Sequence, residues 1–495
     1  MRDSRARTLL RGRILSSPSF SRNTVIYLVG GVVAAGGNIL LAPMYLRLLS
    51  AEDYGAWSQF SLMLQFLQPI MGWGLMATMA RLLVDSDEAA RRQKIAAALK
   101  MVTALNVALL LMIVGVTQQR FLPLLITDQI LQLLPFAVVA AALAAYPSIL
   151  MGMYVADSKA LQYRSLSLVG FSLQAAVLGA CASQFLLDAK MAILAMISAA
   201  SVYAALSAYQ LARAAKWSVG ASEYKALLMF GGPVVLYTIA GQSSEFVTRY
   251  VLAATVTGTD FGAFSAGMIY ASVIAMLSSA INLAWVPLFY RRAQEWITSG
   301  VYNQFVDVFA ACTATIAAFL IVFSNELLTV YSGGKVSLDV SIVGALVISF
   351  WLNSAIWMSL SNPLFHQKQT KIVLSIVLLS IAASMPVALF LIAQHALLGA
   401  SIALFFNALV LCLIAALALR KIGIPGLNYR KLTTLVLLLI LISSPVMNFL
   451  HHEQSGLQKL AEKCLLFAVV AAVMLLPVLR SGINVLRIIE LNSAR

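Results

Sequence analysis

Long apolar runs without a charged residue constrain this chain more than any other feature. Ile372–Ile392 and Leu432–Leu450 are two of them, and each is close to the ~20 residues that a helix needs to cross ~30 Å of hydrocarbon. Lipid offers no partner for backbone N–H and C=O groups, so a spanning segment must satisfy them internally, as a helix does. A membrane β-barrel would instead show alternating segments of ~10 residues. Only 11% of the residues are charged, against about 25% in a soluble domain. The expected fold is therefore all-α, a polytopic membrane protein of about fourteen transmembrane helices.

The spans are read at 24–46, 56–80, 95–116, 130–154, 166–186, 191–211, 227–253, 262–287, 304–323, 341–361, 372–393, 396–419, 432–450 and 464–479. Basic residues orient them, because cytoplasmic loops collect Lys and Arg. With the N-terminus inside, 26 of the 34 Lys and Arg residues fall on the cytoplasmic side. Arg47, Arg120, Lys190, Lys335, Lys459 and Lys463 fall outside, while Lys100 and Arg249 lie within spans. Both termini are thus expected in the cytoplasm. The basic start, Arg2 to Arg13, resembles the head of a secretory signal, but the apolar run after it exceeds the ~7–15 residues of a signal core and reads as a retained first span. The net charge of +15 is a topology signal. A nucleic-acid partner would need a clustered basic face, which is not visible.

Five segments follow: a basic tail (1–23), a first bundle of six spans (24–212), a basic linker (213–226), a second bundle of six spans (227–419), and two further spans with a short tail (420–495). The outside connections 324–340 and 451–463 are too short to fold alone, so binding must occur within the bundles or at their mouths. Cys181, Cys312, Cys412 and Cys464 are scattered through apolar runs and read as small buried hydrophobes. His451 and His452 are adjacent, a poor spacing for a metal. No metal, cofactor or catalytic residue is expected, and the chain does not read as an enzyme.

Asp53-Tyr-Gly-Ala-Trp-Ser58 recurs 207 residues later as Asp260-Phe-Gly-Ala-Phe-Ser265. Both copies open the connection after a first span, six spans apart, so the repeat is parallel. Repeated halves around a central cavity are a common plan of secondary transporters, with the substrate held between them.

Polar residues inside the spans mark candidate sites. Thr238, Gln242, Glu245 and Arg249 form one stripe on the seventh span. Glu245 and Arg249 sit one turn apart. They either dock the helix to its neighbours or line a wet wall, where Arg249 offers a fork of donors to phosphate or carboxylate. The second span has a milder stripe of Ser61, Gln65, Gln68 and Gly72, with Pro69 as a kink, and the eighth adds Ser278, Asn282 and Trp285. Such neutral groups suit a sugar-recognising wall or ordinary interhelical contact. Asn38 holds the repeat position of Glu245. The two are expected at similar depth, facing the central space.

Several stretches carry a family resemblance. Leu41-Ala-Pro-Met-Tyr-Leu-Arg-Leu-Leu-Ser-Ala-Glu-Asp-Tyr-Gly55, Gly74-Leu-Met-Ala-Thr-Met-Ala-Arg81, Asn362 through Lys371, and His395-Ala-Leu-Leu-Gly-Ala-Ser-Ile-Ala403 resemble the Wzx-type polysaccharide flippases of the multidrug/oligosaccharidyl-lipid/polysaccharide exporter superfamily. The resemblance implies two bundles of helices in a bacterial inner membrane. It also implies a flippase that moves undecaprenyl-diphosphate-linked oligosaccharide to the periplasmic leaflet by alternating access, for surface or exopolysaccharide biosynthesis. The implied partners are that lipid-linked substrate, membrane lipids, and a polysaccharide polymerase with its export machinery. Members often line the cavity with several cations, and this chain departs from that, with Glu245 partly neutralising Arg249. Arg81 and Lys100, near the cytoplasmic mouth, would make first contact with a diphosphate. A small-molecule or drug exporter on the same fold is the alternative, and it would prefer acidic groups deep in the first bundle. A membrane polymerase or ligase would need a large outer loop, and a scaffold would not need the repeat.

Overall fold

A computed structural model describes residues 41–478, apart from 85, 118–127, 158, 185–186, 368, 423–427 and 445–456. Asn38 lies outside the described residues. Among them the structure is helical throughout, in the order α1 (41–48), α2 (Ala51–Met71), α3 (Leu75–Leu82), α4 (Glu88–Thr117), α5 (Asp128–Ala156), α6 (Ala160–Gln184), α7 (Ala189–Ala214) and α8 (Ala221–Thr255). Then follow α9 (Gly258–Thr298), α10 (Val301–Val322), α11 (Ser324–Ser332), α12 (Val340–Trp351), a π-helical turn (Leu352–Ile356), α13 (Trp357–His366), α14 (Thr370–Lys421), α15 (Tyr429–Ile442) and α16 (Leu457–Leu475). The chain is a polytopic all-α membrane protein.

Eleven helical stretches among the described residues are long and apolar enough to cross a bilayer. One of these, α14, contains two predicted spans. Ser384 Oγ donates to Asn407 Oδ1 at 2.8 Å, yet 23 residues of straight helix would separate them by ~35 Å. The chain therefore doubles back between them, at Ala396, whose φ of 46° breaks the helix. The predicted spans 24–46 and 432–450 are each described only in part.

Local sequence explains where the spans begin and bend. Ser50 and Thr257 accept from the backbone N–H groups of Asp53 and Asp260, at 3.1 and 3.2 Å, and cap α2 and α9 alike. Pro69 stays inside α2. The break comes after Met71, where Trp73 and Gly74 take left-handed backbone conformations, φ 47° and 58°. Glycine does this without strain and tryptophan does not.

Helices α2, α3, α5, α6 and α7 pack on one another as one group, and α8, α9, α10, α12, α13 and α14 as another. The last two helices, α15 and α16, lie on α10. Lipid supplies no hydrophobic drive between helices, so small residues and interhelical hydrogen bonds must hold them. Ala310, Ala314, Ala317 and Ala318 of α10 are buried accordingly. Tyr270 donates to Leu320 O at 2.6 Å, and Trp351 Nε1 to Thr313 Oγ1 at 3.0 Å. The groups meet where α2 lies against α9 and α8, and where α3 and α4 touch α8.

Candidate functional site

The two copies of the repeat meet. A Cβ at Gly55 would stand 1.9 Å from Gly258 O, and one at Gly262 would stand 3.1 Å from Ala51 O. Gly258 is the repeat equivalent of Ala51, as Gly262 is of Gly55, so the same contact is made twice about a pseudo-two-fold axis between α2 and α9. Only glycine fits this approach. Further bonds tie the same end: Lys335 Nζ donates to Arg47 O and Leu49 O at 2.8 and 2.7 Å. The motif aspartate Asp53 also accepts from Ala189 N at 3.0 Å, which joins α7 to the start of α2. The motif end of the inter-bundle seam is shut.

Deeper in the seam the two predicted stripes face each other. Gln65 and Leu62 of α2 line a narrow cleft of about 10 Å³ with Gln242 and Glu245 of α8, and Phe66 and Phe246 stand on its walls. Those two rings stack with centroids 4.1 Å apart. Gln242 Oε1 is buried without a hydrogen-bond partner, an acceptor that a ligand hydroxyl or amide would satisfy.

The structure separates the other predicted residues from this cleft. Arg249 is 7% exposed, with Nη1 donating to Glu245 Oε1 at 3.2 Å and Nη2 to Ser265 Oγ at 3.4 Å. Its guanidinium thus bridges α8 to the second motif copy, a geometry that favours docking over an open phosphate fork. Lys100 Nζ donates to Trp217 O at 2.9 Å and lies 5.7 Å from the Trp217 ring centre, so it clamps the linker between the bundles. Arg81 is exposed in the last turn of α3. Asn282 accepts from Asn362 Nδ2 at 2.8 Å, joining α9 to α13.

Two larger spaces flank the seam, and most of their polar lining escaped the sequence reading. A chamber of about 400 Å³ within the first group is lined by Gln68, Tyr163, Ser167, Phe171, Gln174 and Tyr203 among others. A second cavity, about 230 Å³, lies between α8, the π-helical turn and α14, with Gln242, Asn353, Ser380 and Asn407 on its walls. Asn353 sits within the π-helical turn, a distortion often found at functional positions. Hydropathy gives no sign of such a turn. Arg164, read only as a topology charge, buries Nε and Nη2 without partners. Gln65 and Gln68 are neighbours on α2, while Gln242 borders both the seam and the second cavity. Neutral polar groups therefore run from one group of helices across the seam into the other.

The described helices thus form two groups that meet along one seam. No protein-family model matches the sequence, and no curated protein matches it. Among solved structures the chain is similar to an inward-facing multidrug resistance MATE family transporter of the MOP superfamily, with TM-score 0.64 and 14% identity, covering 80% of this chain and 97% of that one. It is similar to the lipid II flippase MurJ in an inward closed conformation, with TM-score 0.60 and 12% identity, covering 92% and 98%. The Vibrio cholerae MATE transporter VcmN in its bent form gives TM-score 0.54 and 18% identity, covering 82% and 98%. Identities this low carry the fold, and the cargo must be argued from the chemistry of the site.

Proposed function

We propose that the chain is a flippase for undecaprenyl-diphosphate-linked oligosaccharide, moving it from the cytoplasmic to the periplasmic leaflet of a bacterial inner membrane by alternating access. The observation that carries this reading is the set of polar side chains across the seam, neutral apart from Glu245, which Arg249 pairs, below a shut motif end. Sugar hydroxyls find donors and acceptors along Gln65, Gln242, Gln68 and the chamber beyond, while the polyprenyl chain stays in lipid. Opening of the motif end would release the glycan on the far side. The charge distribution supports placing that end, with Lys335 and Arg47, on the periplasmic face and both termini in the cytoplasm. A polysaccharide polymerase and export machinery would take the product.

A drug exporter on the same fold has the MATE neighbours in its favour. A cationic drug, however, needs an unpaired anion in its binding chamber; the first-group chamber has no acidic residue among its described lining, and Glu245 in the seam cleft is paired with Arg249.

The test uses the full chain in proteoliposomes carrying an undecaprenyl-diphosphate oligosaccharide tagged on its sugar with a dithionite-sensitive fluorophore. The expected result is protein-dependent exchange of the fluorophore between leaflets, without extrusion of ethidium. Ethidium transport in the absence of probe exchange would decide for the drug exporter.

A further inference from the structure

The chamber within the first group of helices is the least explained feature of the molecule. Its volume, about 400 Å³, is within the ~300–1,000 Å³ usual for small-molecule sites. We infer that this chamber is the subsite for an uncharged sugar of the cargo, and that it excludes acidic sugars. The inference rests on the flippase reading and adds to it a place and a charge for the glycan.

The lining chemistry makes the case. Gln174 Nε2 donates to the Tyr45 hydroxyl at 3.1 Å, which fixes the amide and leaves its Oε1 to accept from a ligand. Ser167 donates back to Tyr163 O at 3.1 Å and keeps its lone pairs for the chamber. The Tyr203 hydroxyl is buried and has no partner, a donor and acceptor held ready at a cost that a bound hydroxyl would remove. The Tyr203 ring packs against Gly170, where an added Cβ would stand 2.9, 3.0 and 3.3 Å from three of its carbons and displace it. Phe171 adds a second aromatic wall. Rings to cover the C–H face of a pyranose, with amides and hydroxyls for its rim, are the complement of a neutral sugar.

A uronate would fare differently. None of the described residues lining the chamber is charged, so a carboxylate brought in would lose its water without gaining a counter-ion from them. The two basic residues within predicted spans do not supply one, since Lys100 is held by Trp217 and Arg249 by Glu245 and Ser265. Arg164, though next to Tyr163 in sequence, does not line the chamber.

The experiment places two tagged undecaprenyl-diphosphate probes in the same proteoliposomes, one with a neutral disaccharide and one in which a glucuronate replaces a hexose. The readout is the ratio of their exchange rates, because loss of folded protein lowers both rates and leaves the ratio unchanged. The wild type is expected to favour the neutral probe about tenfold or more. Tyr203→Phe and Gln174→Leu should each bring the ratio down about three- to tenfold, as one hydrogen bond to the neutral sugar is lost. Gln68→Lys puts a cation on the chamber wall and should move the ratio toward the glucuronate probe. Equal rates for the two probes in the wild type, or a ratio unmoved by Tyr203→Phe and Gln68→Lys, would overturn the inference while leaving the flippase reading intact. Failure of the wild type to exchange either probe would refute the flippase reading itself.

Discussion

Substituting Gly55 tests whether the repeat contact shuts the molecule. An added Cβ would stand 1.9 Å from Gly258 O and 2.6 Å from Gly258 C. Ordinary contact begins near 3.4 Å, so α2 and α9 must separate by about 1.5 Å at the motif end to accept even alanine. Overpacking of this kind costs about 1–3 kcal/mol. The cost falls on the shut state, where the helices touch, so the equilibrium should shift toward an opened motif end by about 5- to 150-fold. At Gly262 an added Cβ would meet its neighbours only at 3.0–3.2 Å, and at Gly179 it would meet nothing within 4 Å. The assay is the labelling rate of a cysteine at Gln65, in the seam below the contact, by an impermeant maleimide applied from the motif side. Gly55→Ala should label fastest, Gly262→Ala more slowly, and Gly179→Ala like the unsubstituted protein. If Gly55→Ala labels no faster than Gly179→Ala, the glycine contact is not what closes this end, and the reasoning fails.

Two further outcomes follow from the same geometry. Arg249→Ala should lower the thermal stability of the purified protein by about 2–4 kcal/mol, because Glu245 is left part-buried without its partner. Exchanging the two residues should recover most of the loss by melting in detergent, whereas a phosphate-binding role would leave the exchanged protein folded but inactive in probe exchange. For topology, cysteines at Ser337 and Ala89, both exposed, should label from opposite faces in intact cells, with Ser337 reactive from outside. Ser332 itself cannot serve, being fully buried with its hydroxyl bonded to Leu328 O, and labelling of Ala89 from outside would reverse the orientation.

The spans were legible because hydropathy is a property of a stretch, and a stretch is what sequence displays. The same holds for the stripes: Gln65 and Gln242 share a face with their neighbours by period alone, and the structure brings those faces together. What period cannot give is the partner across a face. Arg249 reads equally as a phosphate ligand or a docking residue until Ser265 is found at 3.4 Å. Lys100 reads as a cation at a mouth until the Trp217 carbonyl is found on it. Tyr163, Ser167 and Gln174 of α6 lie on one helical face by their spacing, but their convergence with Tyr203 depends on how α6 and α7 pack. The π-helical turn around Asn353 and the left-handed Trp73 have no one-dimensional signature.

The repeat motif was read for its position in the topology, and its chemistry turns out to lie three residues upstream as well. Ser50 and Thr257, also 207 residues apart, cap α2 and α9 through Asp53 and Asp260. A cap fixes the residue at which a helix starts, so both helices begin at the same register relative to their glycines. Gly55 and Gly262 then fall at matching heights, five residues after each cap, where α2 and α9 come close enough for backbone to touch backbone. The two caps, Ser50 and Thr257, are thus also what aligns the contact. Loss of a cap typically costs ~1 kcal/mol, yet its larger effect here would be on register. A helix frayed by one turn at Asp53 would begin almost at Gly55, and would also release the Ala189 N–H that Asp53 holds. Two of the six motif positions exchange one aromatic for another, Tyr54 for Phe261 and Trp57 for Phe264, and all four rings are buried. The positions kept identical include the glycine at the crossing and the aspartate whose carboxylate accepts from the capping hydroxyl.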